Sequence, residues 1–195
     1  MQTIFIIISS ILALISPLIY AKAILKGKAK PHRTTRIVLF LISALATASL
    51  FAQGDRVAVW LAGASTLQGL IILVLSFKYG MGGRSKTDVS CLILALVGIV
   101  LWQTTQMPII ALFFAIGADF VGMVPAIIKT YHFPKTEIWS FFALDVFAAI
   151  FSMMALNNWT VAEFSYPIYI FIINIVMVLL ITKNSFFKRI RFLPK

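Results

Sequence analysis

The sequence predicts an all-helical membrane protein of seven transmembrane helices, arranged as two parallel three-helix repeats around a linking helix. Three observations lead there. Hydrophobic residues fill 61% of the 195 positions, and the mean hydropathy is +1.01, well beyond the roughly half apolar content of a soluble domain. The apolar residues gather into seven runs, at 4–25, 37–53, 57–77, 89–102, 108–128, 138–156 and 161–182, most of which approach the roughly 20 residues that cross a hydrocarbon core. A proline followed by a basic, proline-punctuated turn also occurs twice, in 15–42 and in 123–144, as expected if one unit is used twice.

Each run has its own justification. The first carries Pro17, about two turns or less from its inner end, where a lost backbone hydrogen bond makes a hinge candidate. Ala21-Lys22-Ala23 imitates a signal-peptidase site, but the opening Met-Gln-Thr has no basic region, so this run is retained as a span. The second is short, and its small residues from Ser43 to Ser49 permit close helix approach. Gln68 lies within the third. The segment Gly80-Met81-Gly82-Gly83-Arg84-Ser85 lacks the glycine-lysine-serine/threonine ending of a phosphate loop and is expected to be a flexible connection. The fourth run is short and free of ionisable residues, as suits a linker on the outside of the bundle. Gln103-Thr104-Thr105-Gln106 separates it from the fifth, which holds Gly117, Asp119, Gly122 and the second hinge candidate, Pro125. Asp145 lies in the sixth and Asn174 in the seventh. Setting Pro17 against Pro125 and Pro31 against Pro134 divides the chain into a first repeat at 1–80, a linker helix at 86–104, a second repeat at 106–183 and a basic tail at 184–195.

Charge supports this threading. With the amino terminus outside, sixteen of the seventeen Lys and Arg residues face the cytoplasm and only Arg56 lies outside, which satisfies the positive-inside rule. The net charge of +11 therefore reports topology in a multi-pass protein of the cell inner (plasma) membrane. These cations cap helix ends instead of lining a water-facing groove with aromatics, so no nucleic-acid partner is expected. Trp60, Trp102 and Trp159 fall at the outer interface and Trp139 at the inner one, an anchoring belt. The lone Cys91 is expected to pack in the interior without a disulfide.

The candidate site comes from polar groups inside the spans. Asp119 and Asp145 each cost about 2.5–3.5 kcal/mol to place at the bilayer centre, and such residues mark functional sites by default. At 1.5 Å per residue, Asp119 lies about 14 Å, and Asp145 and Asn174 each about 10 Å, from the inner ends of their helices. Ser43, Thr47 and Gln68 fall at comparable depth in the first half. The six form a predicted substrate-binding layer near the midplane, where carriers bind their solutes. A carboxylic acid in such a layer can take up and release a proton during a cycle, so proton coupling is an expectation to test. His32 and His132 stand alone in basic turns and are expected to be solvated, with no metal site. Asn158-Trp159-Thr160 is a formal glycosylation sequon on the outer side. No nucleophile, base and orienting acid can be assembled from the loops, so neither an enzyme nor a bound cofactor is expected.

In its two like-oriented triplets, its linker helix, its outside amino terminus and the prolines Pro17 and Pro125, the chain resembles the SWEET and PQ-loop superfamily of seven-span transporters. The proline-glutamine pair of that family would fall at Pro17-Leu18 and Pro125-Ala126, so the glutamine is replaced at both. Asn174 is similar in placement to the family's substrate-facing asparagine in the last helix. The turn Lys28-Ala29-Lys30-Pro31-His32-Arg33 and the run from Asp119 to Pro125 more closely resemble small, functionally uncharacterised prokaryotic membrane proteins of this shape. The resemblance implies a carrier of a small polar solute that rocks its two units about Pro17 and Pro125. The alternative is a non-transporting receptor or scaffold whose basic cytoplasmic face holds anionic lipid or a protein partner, each Lys or Arg adding about 1 kcal/mol of attraction to such lipid. A light-sensing seven-helix protein would need a lysine deep in the last span, and 161–181 has none. The partners expected are thus a small-molecule solute, the bilayer and anionic lipid at the inner face, with assembly into a homo-oligomer left open.

Overall fold

In the computed structural model, which describes residues 2–52, 58–105, 107–156 and 159–191, each apolar run becomes one helix. The order is α1 (Gln2–Leu25), α2 (Arg33–Ala52), α3 (Ala58–Tyr79), α4 (Lys86–Thr104), α5 (Pro108–His132), α6 (Trp139–Met154) and α7 (Val161–Arg191), with a single 3₁₀ turn at Pro134–Thr136. Among the described residues, four helices are long and apolar enough to cross a membrane: α1, α4, and stretches of α5 and α7. Arg56, Asn158 and Lys195 lie outside the described residues, as do the side chains of Trp60, Lys188, Arg189 and Arg191.

Local chemistry sets the helix ends. Gly27, at φ 70°, closes α1: its N–H donates to Ile24 O and that of Lys28 donates to Ala23 O, the paired bonds of a left-handed C-terminal cap. Ser85 and Asp88 form a reciprocal capping box at the start of α4, satisfying two otherwise orphaned N–H groups. α4 and α5 are separate helices. The Thr105 N–H donates to Leu101 O at the end of α4, and Pro108 opens α5 at its first position, where a missing N–H costs nothing. Both α5 and α7 outrun their apolar stretches, and α5 ends on the basic side chains of Lys129 and His132, of which the lysine cation suits the negative end of the helix dipole. Pro17, Pro125 and Pro167 all lie inside continuous helices.

Helix α3 packs on α1 and α2, and α7 packs on α5 and α6; α1 also lies against α6, and α2 against α5. α4 rests on α5 and α2 through a stripe of Asp88, Cys91, Ala95 and Ile99, spaced at three and four residues as one helix face requires. Its other face leaves Ile93, Leu94, Val97 and Val100 exposed, and Ile4, Ile7, Ile11 and Leu18 of α1 are similarly bare, apolar surface that lipid would cover. Of the glycines of α5, Gly122 allows close helix approach and Gly117 does not. A Cβ at Gly122 would stand 2.5 Å from Val38 Cγ1 across the α2–α5 crossing, whereas one at Gly117 would meet nothing within 4 Å.

The tightest packing lies at the end of the bundle that carries the 26–32 and 133–138 turns, called the turn end below. Tyr20, Ile24, Phe141, Phe142 and Met177 cluster there, with the Tyr20 and Phe141 rings stacked at 4.4 Å. Two expectations are corrected at this end. The 80–85 segment is not a flexible connection: Met81 N–H donates to Pro31 O at 3.0 Å and Arg33 N–H to Met81 O at 3.2 Å, while Gly83 N–H donates to Asp88 Oδ2 at 2.8 Å. His32 is not solvated but only 5% exposed, because this connection folds over it and sets its Nε2 3.3 Å from Asp88 Oδ1. His132 is exposed, as expected.

Candidate functional site

Helices α1, α6 and α7 border an open cavity of about 300 Å³ that both Asp145 and Asn174 line. Ser9, Ser152, Tyr166 and Pro167 also border it. In chain direction these residues all lie farther from the turn end than Tyr20 of α1, Phe141 of α6 and Met177 of α7. The cavity therefore runs from Asp145 and Asn174 away from the packed core. Asp145 accepts a hydrogen bond from Ser16 Oγ, and Ser16 is 1% exposed. Asn174 donates one amide hydrogen to Ile170 O at 2.8 Å. Ser9 Oγ donates to Ala148 O at 2.9 Å, a second polar tie between α1 and α6.

The other predicted site residues are distributed differently. Asp119 accepts from the Tyr169 hydroxyl. Gln68 Nε2 reaches Leu14 O at 3.3 Å. Thr47 Oγ1 donates to Ser43 O at 2.9 Å and lies 2.8 Å from Thr66 Oγ1. Ser43 lines a second cavity, of about 160 Å³, with Pro17, Arg36, Gly69 and Phe141. Of the predicted layer, Asp145 and Asn174 thus line one cavity and Ser43 another, while Asp119, Thr47 and Gln68 line neither. Ala13 and Asp145 border the first; Pro17 and Phe141, one turn along α1 and α6 respectively, border the second. The Ser16–Asp145 bond stands where the two meet. Depth along a helix fixed the level of each polar group but not the direction it faces, and for that reason one layer was expected where two chambers occur.

At the turn end a buried polar network ties the halves of the chain together. Glu137, 6% exposed, accepts from the Tyr20 hydroxyl at 2.7 Å and forms an ion pair with Lys129. Lys129, also 6% exposed, donates in addition to Lys30 O at 2.7 Å, and Lys30 N–H donates to Thr136 O at 2.8 Å. The sequence placed Lys129 among the basic residues that face the cytoplasm at helix ends. It is buried instead, because Glu137 supplies the countercharge that makes burial tolerable. Arg36 stacks over the same core, its guanidinium carbon 4.6 Å from the centroid of the Tyr20 ring and 5.6 Å from that of Phe141. Burial holds the His32 imidazole below its usual pKa, against the pull of Asp88 and with the repulsion of Lys129, Arg33 and Arg36.

Sequence reasoning missed Ser16, Arg36, Glu137, Tyr166 and Tyr169. Ser16 directly precedes a flagged proline, and Glu137 is the acid of an otherwise basic turn; both signals were present. Arg36 was counted as a topogenic charge, although its place inside the first turns of α2 could have marked it as reaching inward. Among the described residues no cluster of three or more metal-ligating side chains occurs. No protein-family model matches the chain, and neither a curated protein nor a solved structure matches it.

Proposed function

We propose that the chain is a membrane carrier that moves a small polar solute by alternating access through the cavity of Asp145 and Asn174. The observation that carries this is the joint placement of an acid from α6 and an amide from α7 on one cavity of about 300 Å³, within helices whose outer faces are apolar. That volume suits a small solute, and two polar groups on separate helices give it something to orient against.

The packing favours the SWEET and PQ-loop resemblance. Exchanging α1, α2 and α3 for α5, α6 and α7 maps the helix pairs onto one another: α1 with α3 onto α5 with α7, α2 with α3 onto α6 with α7, and α1 with α6 onto α5 with α2. Two parallel repeats related by an axis along the membrane normal, with α4 as linker and all seven helices spanning, would produce such a correspondence, which supports that reading. The positive-inside distribution puts the turn end in the cytoplasm. The cavity then opens toward the outside, and the network of Tyr20, Glu137 and Lys129 closes the inside.

The scaffold alternative is less well supported, since Lys129, Arg33 and Arg36 are engaged within the fold and are thereby withdrawn from a lipid surface. Uptake of labelled sugars, amino acids, carboxylates and nucleosides into proteoliposomes tests the proposal. A transported solute is expected whose rate falls by about 10- to 100-fold in Asp145→Asn, the equivalent of a lost hydrogen bond to a charged group. Proton coupling requires that an imposed pH gradient accelerate wild-type uptake and leave Asp145→Asn unmoved. Uptake of the responsive solute at an unchanged rate in Asp145→Asn would remove that residue from the pathway.

A further inference from the structure

The second cavity contains an unusual cation. The Arg36 guanidinium lies over the stacked rings of Tyr20 and Phe141, and its Nε is buried without a hydrogen-bond partner. No acid lies within ion-pair distance of it among the described residues. The acids that lie nearby in the fold are each held by another group: Asp145 by Ser16, Asp119 by Tyr169, Glu137 by Lys129 and Tyr20. A buried Nε–H with nothing to receive it is costly, and aromatic faces offset only part of that cost. The group borders a cavity of about 160 Å³, room for about five waters at liquid density.

We propose that Arg36 anchors the carboxylate of a small monoanionic solute in this cavity, the planar fork donating to it through paired N–H···O bonds. Ser43, on the same cavity, is placed to meet a hydroxyl on the remainder of the molecule. A second negative charge on the solute is disfavoured, because Asp119 and Asp145 both lie within electrostatic reach of Arg36. The inference rests on carrier function and names its solute class.

Purified protein in lipid nanodiscs is titrated with acetate, glycolate and lactate, with succinate and glucose as controls, and its thermal midpoint is followed. Midpoints rise with the monocarboxylates at concentrations on the order of millimolar and respond less to succinate and glucose. Arg36→Lys keeps the charge over the rings and loses the fork, so it binds about tenfold more weakly while eluting as a folded species in gel filtration. Arg36→Gln, if folded by the same criterion, no longer responds. A wild type indifferent to all three monocarboxylates overturns the inference, as does an Arg36→Lys protein that binds them as tightly as wild type. Liposome uptake separates the two proposals. Binding that depends on Arg36 without uptake upholds the anchor and refutes the carrier; uptake of a neutral solute at an unchanged rate in Arg36→Lys upholds the carrier and refutes the anchor.

Discussion

Lys129→Met lowers the stability of the folded protein by about 3–5 kcal/mol, the usual cost of leaving one partner of a buried ion pair without the other. Lys129 and Glu137 are each 6% exposed, so water cannot replace the missing ammonium around the carboxylate. The loss extends beyond the pair, because Lys129 also donates to Lys30 O and thereby ties the 26–32 turn to α5. Adding Glu137→Gln removes the stranded charge while keeping an acceptor for the Tyr20 hydroxyl, and the double variant is expected to recover most of the loss. Unfolding midpoints of the three proteins in detergent, titrated with SDS, provide the check. A single variant as stable as wild type would mean that the pair is solvated in the membrane and locks nothing.

Gly122→Ala is expected to cost about 1–3 kcal/mol, the range for overpacking a tight contact. A Cβ at position 122 would meet Val38 Cγ1 at 2.5 Å and Val38 Cβ at 2.9 Å. Val38 is fully buried, and a β-branched side chain in a helix has one strongly preferred rotamer, so it cannot turn aside. Pairing Gly122→Ala with Val38→Ala removes the nearest methyl and should restore most of the stability, whereas Val38→Ala alone leaves a small void. This contact joins α2 to α5, as α1 joins α6, so under the proposed rocking of the two halves the single variant is expected to slow uptake as well. The comparison uses the same SDS titration alongside proteoliposome flux; a Gly122→Ala protein unaltered in both would show that the crossing is looser than its geometry implies.

The fold was legible in the sequence where one physical rule dominated. Apolar run length gave every helix, and the capping pair Ser85 and Asp88 and the chain reversal at Gly27 lie where the runs stop. Ends were less legible: α5 continues to His132 and α7 to Arg191, since helical hydrogen bonding persists past the hydrophobic boundary wherever charged side chains suit the dipole. Asp145 and Asn174 were singled out because a polar group in an apolar run is conspicuous by its cost, and they line one cavity. Ser43 fell into the neighbouring chamber, and Asp119 was taken up by Tyr169, because rotation about a helix axis is set by tertiary packing that residue spacing does not encode. The network of Tyr20, Glu137, Lys129 and Arg36 escaped notice for a related reason. Its members are far apart in the chain, and each alone passes for an interfacial residue.

Alternating access requires that one cavity be reachable from both faces of the membrane, though not at once. Ala149, 4% exposed, lines the chamber of Asp145 and Asn174, and Ala149→Cys in a Cys91→Ala background reports on it through a membrane-impermeant maleimide added to either face of oriented liposomes. Labelling should come from the face opposite the 26–32 and 133–138 turns in the otherwise unaltered protein, and from the turn face as well once Lys129→Met alone has broken the ion pair with Glu137 at the turn end. Labelling confined to one face in both proteins, or absent from both faces, would show that this chamber is not part of a route across the bilayer.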